Sequence, residues 1–346
     1  MIREYMSYGA MTTKVRALYG KRLRDKDWNA LSTMDSVDAV AAYLRKSPGW
    51  QGAVATLPPG PVSRYTLETA LRRRMDEEYV RLYRFAALED KKVLLFFVRR
   101  FEYEAILTRL RNLFSDTQKK LLPGVLADFT RERSKMDFAA LETAEMWWDV
   151  VAAAKDTIYY EPLLTIQTSD QDTLPNYTAV SVLLQGVYFE SFYKFVDTHY
   201  KGAVRETFMT SLGEEADLYN LMHIMRLKRY YPDSPQLGPD ILLPVFHKLK
   251  PAFFDELMAS PNVKHSLALI DGSYYGRFFR EDHLQYLDNY LPKRIGDFNR
   301  RQLAAGVPSP YIVAAYLVML EQEMRRLFSV IERAFYAGLN RRSSPA

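Results

Sequence analysis

The 346-residue chain contains no cysteine, so it can form neither a disulfide nor a thiolate metal site. A reducing, cytosolic setting fits that lack. Any metal would need histidines and carboxylates to converge, and His199, His223, His247, His265 and His283 are scattered without ligand spacing. Long apolar runs are missing as well. The two most apolar stretches, VLLFFV at 93–98 and YIVAAYLVML at 311–320, fall far short of the about 20 residues a helix needs to span a bilayer. The N-terminal MIREYMSYGAMTTKVRALYGKRL has no continuous apolar core and no cleavage pattern, so it does not read as a signal peptide. A soluble protein is expected, one that would meet a membrane only from its surface or through a partner.

Catalytic signatures are lacking too. There is no G-x-x-x-x-G-K-[ST], no H-E-x-x-H and no G-x-S-x-G. DGSYYG at 271–276 has the small residues of a catalytic loop but reads as a turn between helices. The acid pairs Glu214-Glu215 and Asp76-Glu77 are expected near helix beginnings or on exposed faces, where they need no catalytic explanation. The chain is therefore not expected to be an enzyme, and no cofactor or metal is expected.

Hydrophobic residues make up 48% of the chain, enough for a large core or several smaller ones. Helical periodicity dominates their distribution. In 64–85, Leu67, Leu71, Met75, Tyr79 and Leu82 recur every three or four residues, with Arg72, Arg73, Arg74, Asp76, Glu77 and Glu78 between them. Similar stripes cover 11–24, 36–46, 91–114, 137–154, 178–200, 214–231, 277–290 and 311–336. No persistent period-2 strand competes, and VSVLLQGVYF at 180–189 lies inside a longer helical pattern. LPPGP at 57–61, LPG at 122–124, YPDSPQLGP at 231–239 and AGVPSP at 305–310 read as loops or helix starts. The tail at 341–346, RRSSPA, is expected to be disordered. The fold class is all-α.

Internal similarity organises these helices. DLYNLMHIMRLKRYY at 217–231 carries Asp217, Asn220 and Arg226 close to an apolar stripe. FEYEAILTRLRNLF at 101–114 matches it, with Glu102 against Asp217 and Arg111 against Arg226; Ala105 replaces the amide. A weaker copy, MLEQEMRRLFSVIER at 319–333, has Glu323 at the amide position and Ser329 at the arginine position. A second landmark, a helix end followed by a short break, recurs at 43–54, 152–163 and 256–267, where Trp50, Tyr159 and Val263 coincide. Both landmarks keep their order. They divide the chain into three copies of about 110 residues: 1–114, 115–231 and 232–340, with N-terminal helices free to pack on the third. An acid and an arginine nine residues apart lie about 13 Å apart along a helix. Each is therefore expected to bond a neighbouring helix and fix how the helices cross.

At these residues the chain resembles the C subunit of bacterial and archaeal V/A-type ATPases and the homologous d subunit of eukaryotic V-ATPases. Asp217, Asn220 and Arg226 match that family's spacing, and Thr157-Ile158-Tyr159 keeps its Thr-x-Tyr-like motif. The C-terminal acid-rich helix with Glu321 and Glu323 is also similar; Ala105, Ser329 and Ser47-Pro48-Gly49-Trp50 depart from the pattern. The resemblance implies three similar helical domains in a funnel around a pseudo-threefold axis. It implies a non-catalytic coupling subunit, peripheral on the cytoplasmic face of the membrane. Such a subunit receives the central shaft in its socket, sits on the membrane rotor ring and transmits torque for ion transport.

Lys and Arg exceed Asp and Glu by 47 to 42. That excess permits contact with anionic lipid head groups or phosphates without demanding it. Arg72, Arg73, Arg74, Arg99, Arg100, Arg300, Arg301, Arg325 and Arg326 are the candidate residues for a membrane-side or partner face. A helical nucleic-acid-binding protein using the same arginines is the alternative reading.

Overall fold

The computed structural model describes residues 2–57, 60–86, 88–115, 126–168, 173–230, 241–276 and 287–343. Among them there are sixteen helices and no strand. The chain divides into two compact units. Unit 1 comprises residues 1–94, 122–132 and 296–346, and unit 2 comprises 95–121 and 133–295.

Unit 1 is built around α16 (Tyr311–Ser343), a 33-residue helix. It packs against α1 (Ile2–Tyr19), α3 (Val37–Leu44) and α5 (Arg64–Phe85). The apolar stripe of α5 is the reason. Leu67, Leu71, Met75, Tyr79 and Leu82 are all buried. Leu67, Leu71 and Met75 share a core with Leu327, Ile331 and Ala334 and with residues from α2 (Asp25–Ser32), α3 and α4 (Gln51–Ala55). Ser63 starts α5, its side chain accepting from the Thr66 amide at 3.1 Å; Ser36 does the same for α3 through Ala39 at 3.2 Å. Such caps satisfy helix-start amides that have no partner within the helix.

In unit 2, α11 (Tyr177–His199) and α12 (Gly202–Tyr230) are joined by two residues, and Gly202 supplies the positive φ of +56° that the link requires. Leu218, Leu221, Met222 and Met225 of α12 bury against α13 (Pro251–Ala259) and α14 (Val263–Asp271) through Phe254, Leu257 and Ile270. The 180–189 stretch is helical within α11. Val180, Val182, Leu184, Gly186 and Tyr188 are buried, because this helix is enclosed on most sides. Rings continue the core: Phe96, on α6 (Leu88–Ser115), stacks on Phe192 at 4.3 Å, and Tyr103 meets Tyr188 at 5.5 Å.

Four sequence expectations need correction. The 137–154 stripe is two helices, α8 (Phe138–Thr143) and α9 (Trp147–Ala153). Asp149 accepts from the Glu145 and Met146 amides at 3.0 and 3.1 Å and so starts a new helix there. The α12 helix begins at Gly202, a dozen residues before its sequence stripe. Asp76 and Glu214 are not on exposed faces but are 2% and 6% exposed. Finally, α16 runs through Ser343, into the segment expected to be a disordered tail. Residues 277–286 of one predicted stripe, the loops 122–124 and 231–239, His283 and the last three residues lie outside the described residues.

Leu327 is fully buried between α16 and its neighbours. Leu327→Ala is expected to destabilise unit 1 by roughly 2–5 kcal/mol, read as a lower denaturation midpoint by far-UV circular dichroism. A loss under about 1 kcal/mol would show that this core is not what holds the unit.

Candidate functional site

Asp217 is a fully buried carboxylate on α12. It is held by a loop, not by another helix's side chains. Its two oxygens accept from the backbone amides of His247, Lys248 and Leu249 at 3.0, 2.7 and 3.1 Å. These residues lie just before α13. Tyr275 completes the set by donating its hydroxyl to Asp217 at 3.0 Å. One turn on, Asn220 exchanges two hydrogen bonds with Leu243, donating at 3.2 Å and accepting at 2.7 Å. Both groups belong to one clamp on the segment leading into α13.

The same arrangement occurs twice more. Glu323 of α16 accepts from the Leu23 amide at 3.4 Å, just before α2, and from the Trp50 indole Nε1 at 2.6 Å. Glu102 of α6 accepts from Ser134 Oγ at 2.6 Å, and that hydroxyl in turn accepts from the Met136 amide at 3.0 Å, just before α8. Here the aromatic partner has shifted. Tyr159 donates to the Arg99 carbonyl at 2.8 Å, three residues upstream of Glu102. Each acid thus sits at the start of a short helix, where the dipole favours negative charge.

A cation from the same long helix binds the other end of each short helix. Arg333 donates to the Leu31 carbonyl at 2.9 Å, in the last turn of α2. Arg109 donates to the Ala144 carbonyl at 2.8 Å through Nε and again through Nη2, at the end of α8. Lys228 donates to the Met258 and Ser260 carbonyls at 2.9 and 2.5 Å, at the end of α13. The spacings agree with the lengths. Acid and cation are seven, ten and eleven residues apart, and the helices they bracket have 6, 8 and 9 residues. At about 1.5 Å per residue, the long helix acts as a ruler for the short one.

The aromatic groups end the second short helix of each set. Trp50 follows α3, Tyr159 follows α9 and Tyr275 follows α14. All three are 0–1% exposed. Thr157 Oγ1 accepts from the Tyr159 amide, and Ser273 Oγ from the Tyr275 amide, both at 3.2 Å. Tyr275, not Val263, is therefore the third aromatic position. Val263 opens α14 and is only half-buried. Sequence alignment missed this because the hydroxyl-x-aromatic turn lies inside DGSYYG, a stretch that looks like an ordinary loop.

The arginines that aligned in the sequence lie elsewhere. Arg111 is exposed and donates to the Tyr177 hydroxyl of α11. Arg226 is exposed on α12. The cations at the short-helix ends, Arg109, Lys228 and Arg333, have a pattern hidden by their unequal spacing. A further missed pair is Arg294 with Glu214 at 2.9 Å, 9% and 8% exposed by side chain, which Tyr274 joins at 3.3 Å. Glu321 pairs along its own helix with Arg325 at 2.5 Å.

Most of the candidate surface arginines are engaged within the chain. Arg73 and Arg100 meet Glu77 and Glu104 at 3.3 and 3.0 Å, while Arg74 and Arg300 pair with Glu78 and Asp297. Arg72, Arg99 and Arg326 lie over the rings of Phe328, Phe96 and Trp28 at 4.4, 4.4 and 4.1 Å. Arg301 is exposed beside Arg300. Among the described residues no group of His, Asp and Glu could hold a metal ion. His223 is kept neutral instead: burial pushes it down to about 4, and its ring Nδ1 pairs with the Ile241 carbonyl.

Burial raises all three clamp carboxylates above the usual range. For Asp217 the three amides and Tyr275 oppose the rise; for Glu102, Ser134 and Arg99 do. Glu323 is pushed up to about 7, with Trp50, the Leu23 amide and Arg22 opposing and Asp27 adding to it.

Asp217→Ala would leave three amides and a buried phenol without their acceptor, so a loss of about 3–5 kcal/mol is expected. Arg226→Ala is expected to cost less than about 1 kcal/mol. Equal effects in denaturant titrations would refute the assignment of the clamp to Asp217. The sign of the Glu323 effect follows from its raised pKa. The folded chain keeps a proton that the unfolded chain releases near 4.5, so this contribution is full below about 4.5 and lost as pH rises through about 7. Between pH 5 and 8, Glu323→Gln is expected to remove about 2–3 kcal/mol of pH-dependent stability loss in unit 1. Trp fluorescence-monitored unfolding of both forms checks this, and parallel pH profiles would contradict it.

Residues 11–341 match the family described as ATP synthase (C/AC39) subunit. The chain is also similar to the C subunit of the A-type ATP synthase of Methanocaldococcus jannaschii, with 24% identity over 293 residues, covering 83% of this chain and 70% of that relative. The family match spans all three long helices that carry the clamps, α6, α12 and α16 up to residue 341. The chain belongs to the ATP synthase (C/AC39) subunit family, a structural and not a catalytic part of a rotary ATPase.

Proposed function

We propose that this protein couples the central shaft of its ATPase to the membrane rotor ring and passes torque between them. The recurring clamp carries the reading. A torque-bearing part must resist shear between its helices. One short helix of each set, α2, α8 or α13, is fixed at its beginning by a carboxylate and at its end by a cation, both from one long helix. Packed interiors have low compressibility, and the buried polar bonds add geometric specificity.

The three clamp sets support three similar helical units, each made of a long helix and short helices of the next segment: Glu102 with Ser134, Asp217 with His247 to Leu249, and Glu323 with Leu23. The bounds 1–114, 115–231 and 232–340 therefore separate each long helix from the short helix it clamps, and we propose a funnel of these units about a pseudo-threefold axis. In this reading the socket takes the shaft and the base rests on the ring at the cytoplasmic face. Anionic head groups draw little support from the arginine clusters, since eight of the nine candidates meet carboxylates or rings within the chain. No helix among the described residues is long and apolar enough to cross a membrane, in keeping with a peripheral position. The nucleic-acid alternative has less to stand on, since eight of its nine arginines already meet carboxylates or rings within the chain.

The test is gentle detergent extraction of the protein from its native membranes, with co-purifying proteins identified by mass spectrometry. ATPase head, shaft and ring subunits are expected in fixed ratio. Their absence, from membranes containing an intact V/A-type ATPase, would overturn the coupling role.

A further inference from the structure

A cleft of about 550 Å³ opens in unit 1 between α1 and α5. Its wall on α5 runs from Asp76 to Phe85. The nine residue steps between them measure about 13 Å, roughly two and a half helical turns. The floor is largely carbon. Val80 is half-buried, and Phe85 keeps 47% of its surface exposed, although a large ring facing water is unfavourable.

The rim is cationic. Lys14, from α1, places its Nζ 4.0 Å from the centre of the Phe85 ring. Arg84 is exposed, and among the described residues it pairs with no carboxylate. The acids nearby are already in use or out of reach. Glu77 holds Arg73 at 3.3 Å, Glu78 holds Arg81 at 3.0 Å, and Asp76 is 2% exposed. An apolar strip edged by the exposed Arg84 and by Lys14 over the Phe85 ring complements a helix whose apolar face is bordered by carboxylates. The acids in the wall disfavour a multiply charged phosphate, whereas separate carboxylates on a helix can meet Lys14 and Arg84 singly.

We propose that this cleft docks an acidic amphipathic helix of a neighbouring protein of the same complex. This rests on the coupling role above. The contact would be centred on Phe85, with Lys14 and Arg84 facing the partner's carboxylates.

A photo-cross-linking benzophenone side chain in place of Phe85, in the complex assembled on native membranes, tests it. The expected adduct maps to a carboxylate-rich helical peptide of another ATPase subunit. Lys14→Glu combined with Arg84→Glu is expected to lower adduct yield roughly tenfold, with helicity by circular dichroism unchanged. If the intact complex co-purifies but the adduct falls on phospholipid, on a segment without carboxylates or on nothing, the docking proposal fails and the coupling role stands. An adduct yield insensitive to the charge reversal also overturns it. If the unsubstituted chain brings down no ATPase subunits, the coupling role fails and the docking proposal fails with it.

Discussion

A carboxylate buried beside the start of a short helix is the interaction on which the rest of this structure depends. Removing an ionised group from water is costly unless hydrogen bonds replace the lost hydration. Asp217 meets that condition with three backbone amides and a phenol. The amides belong to a loop that has no sheet or helix partner for them. Acid and loop therefore each satisfy what the other lacks, and the loop's path is fixed relative to α12. Glu323 does the same through Leu23 and Trp50, and Glu102 does so through a serine hydroxyl.

The opposite charge at the far end completes the logic. Short helices of 6 to 9 residues are marginal on their own. Their exposed end groups are the weak points, and each long helix supplies both an anion for the beginning and a cation for the end. The burial that raises the acids' pKa values is the cost of this design, and it is highest in consequence at Glu323, which is pushed up to about 7. For the proposed coupling role, such fixed joints matter more than any open site.

How much of this could be read from the residues differs by layer. Helix positions on α5, α11 and α16 followed from apolar spacing, because burial of one face decides them. The importance of Asp217 and Asn220 was visible because an acid and an amide beside an apolar stripe need explanation. Their partners were not visible. His247, Lys248 and Leu249 contribute only main-chain amides, which leave no mark in side-chain identity. Arg109, Lys228 and Arg333 were missed because each sits where its own short helix happens to end. The aligned pair Arg111 and Arg226 kept equal spacing but lies on exposed faces.

By itself the sequence determined the all-helical class, since its hydrophobic period is helical and local, and the family, since the pattern extends over residues 11–341. It also determined that helices this apolar on one side must pack. Only the tertiary structure decided which groups the buried acids serve and which cations answer them. It alone decided that Tyr275 rather than Val263 is the third aromatic joint. Those choices depend on where separate segments meet in space, as with Trp50 and Glu323, which lie 273 residues apart and bond at 2.6 Å. Local spacing carries no record of such distant pairings.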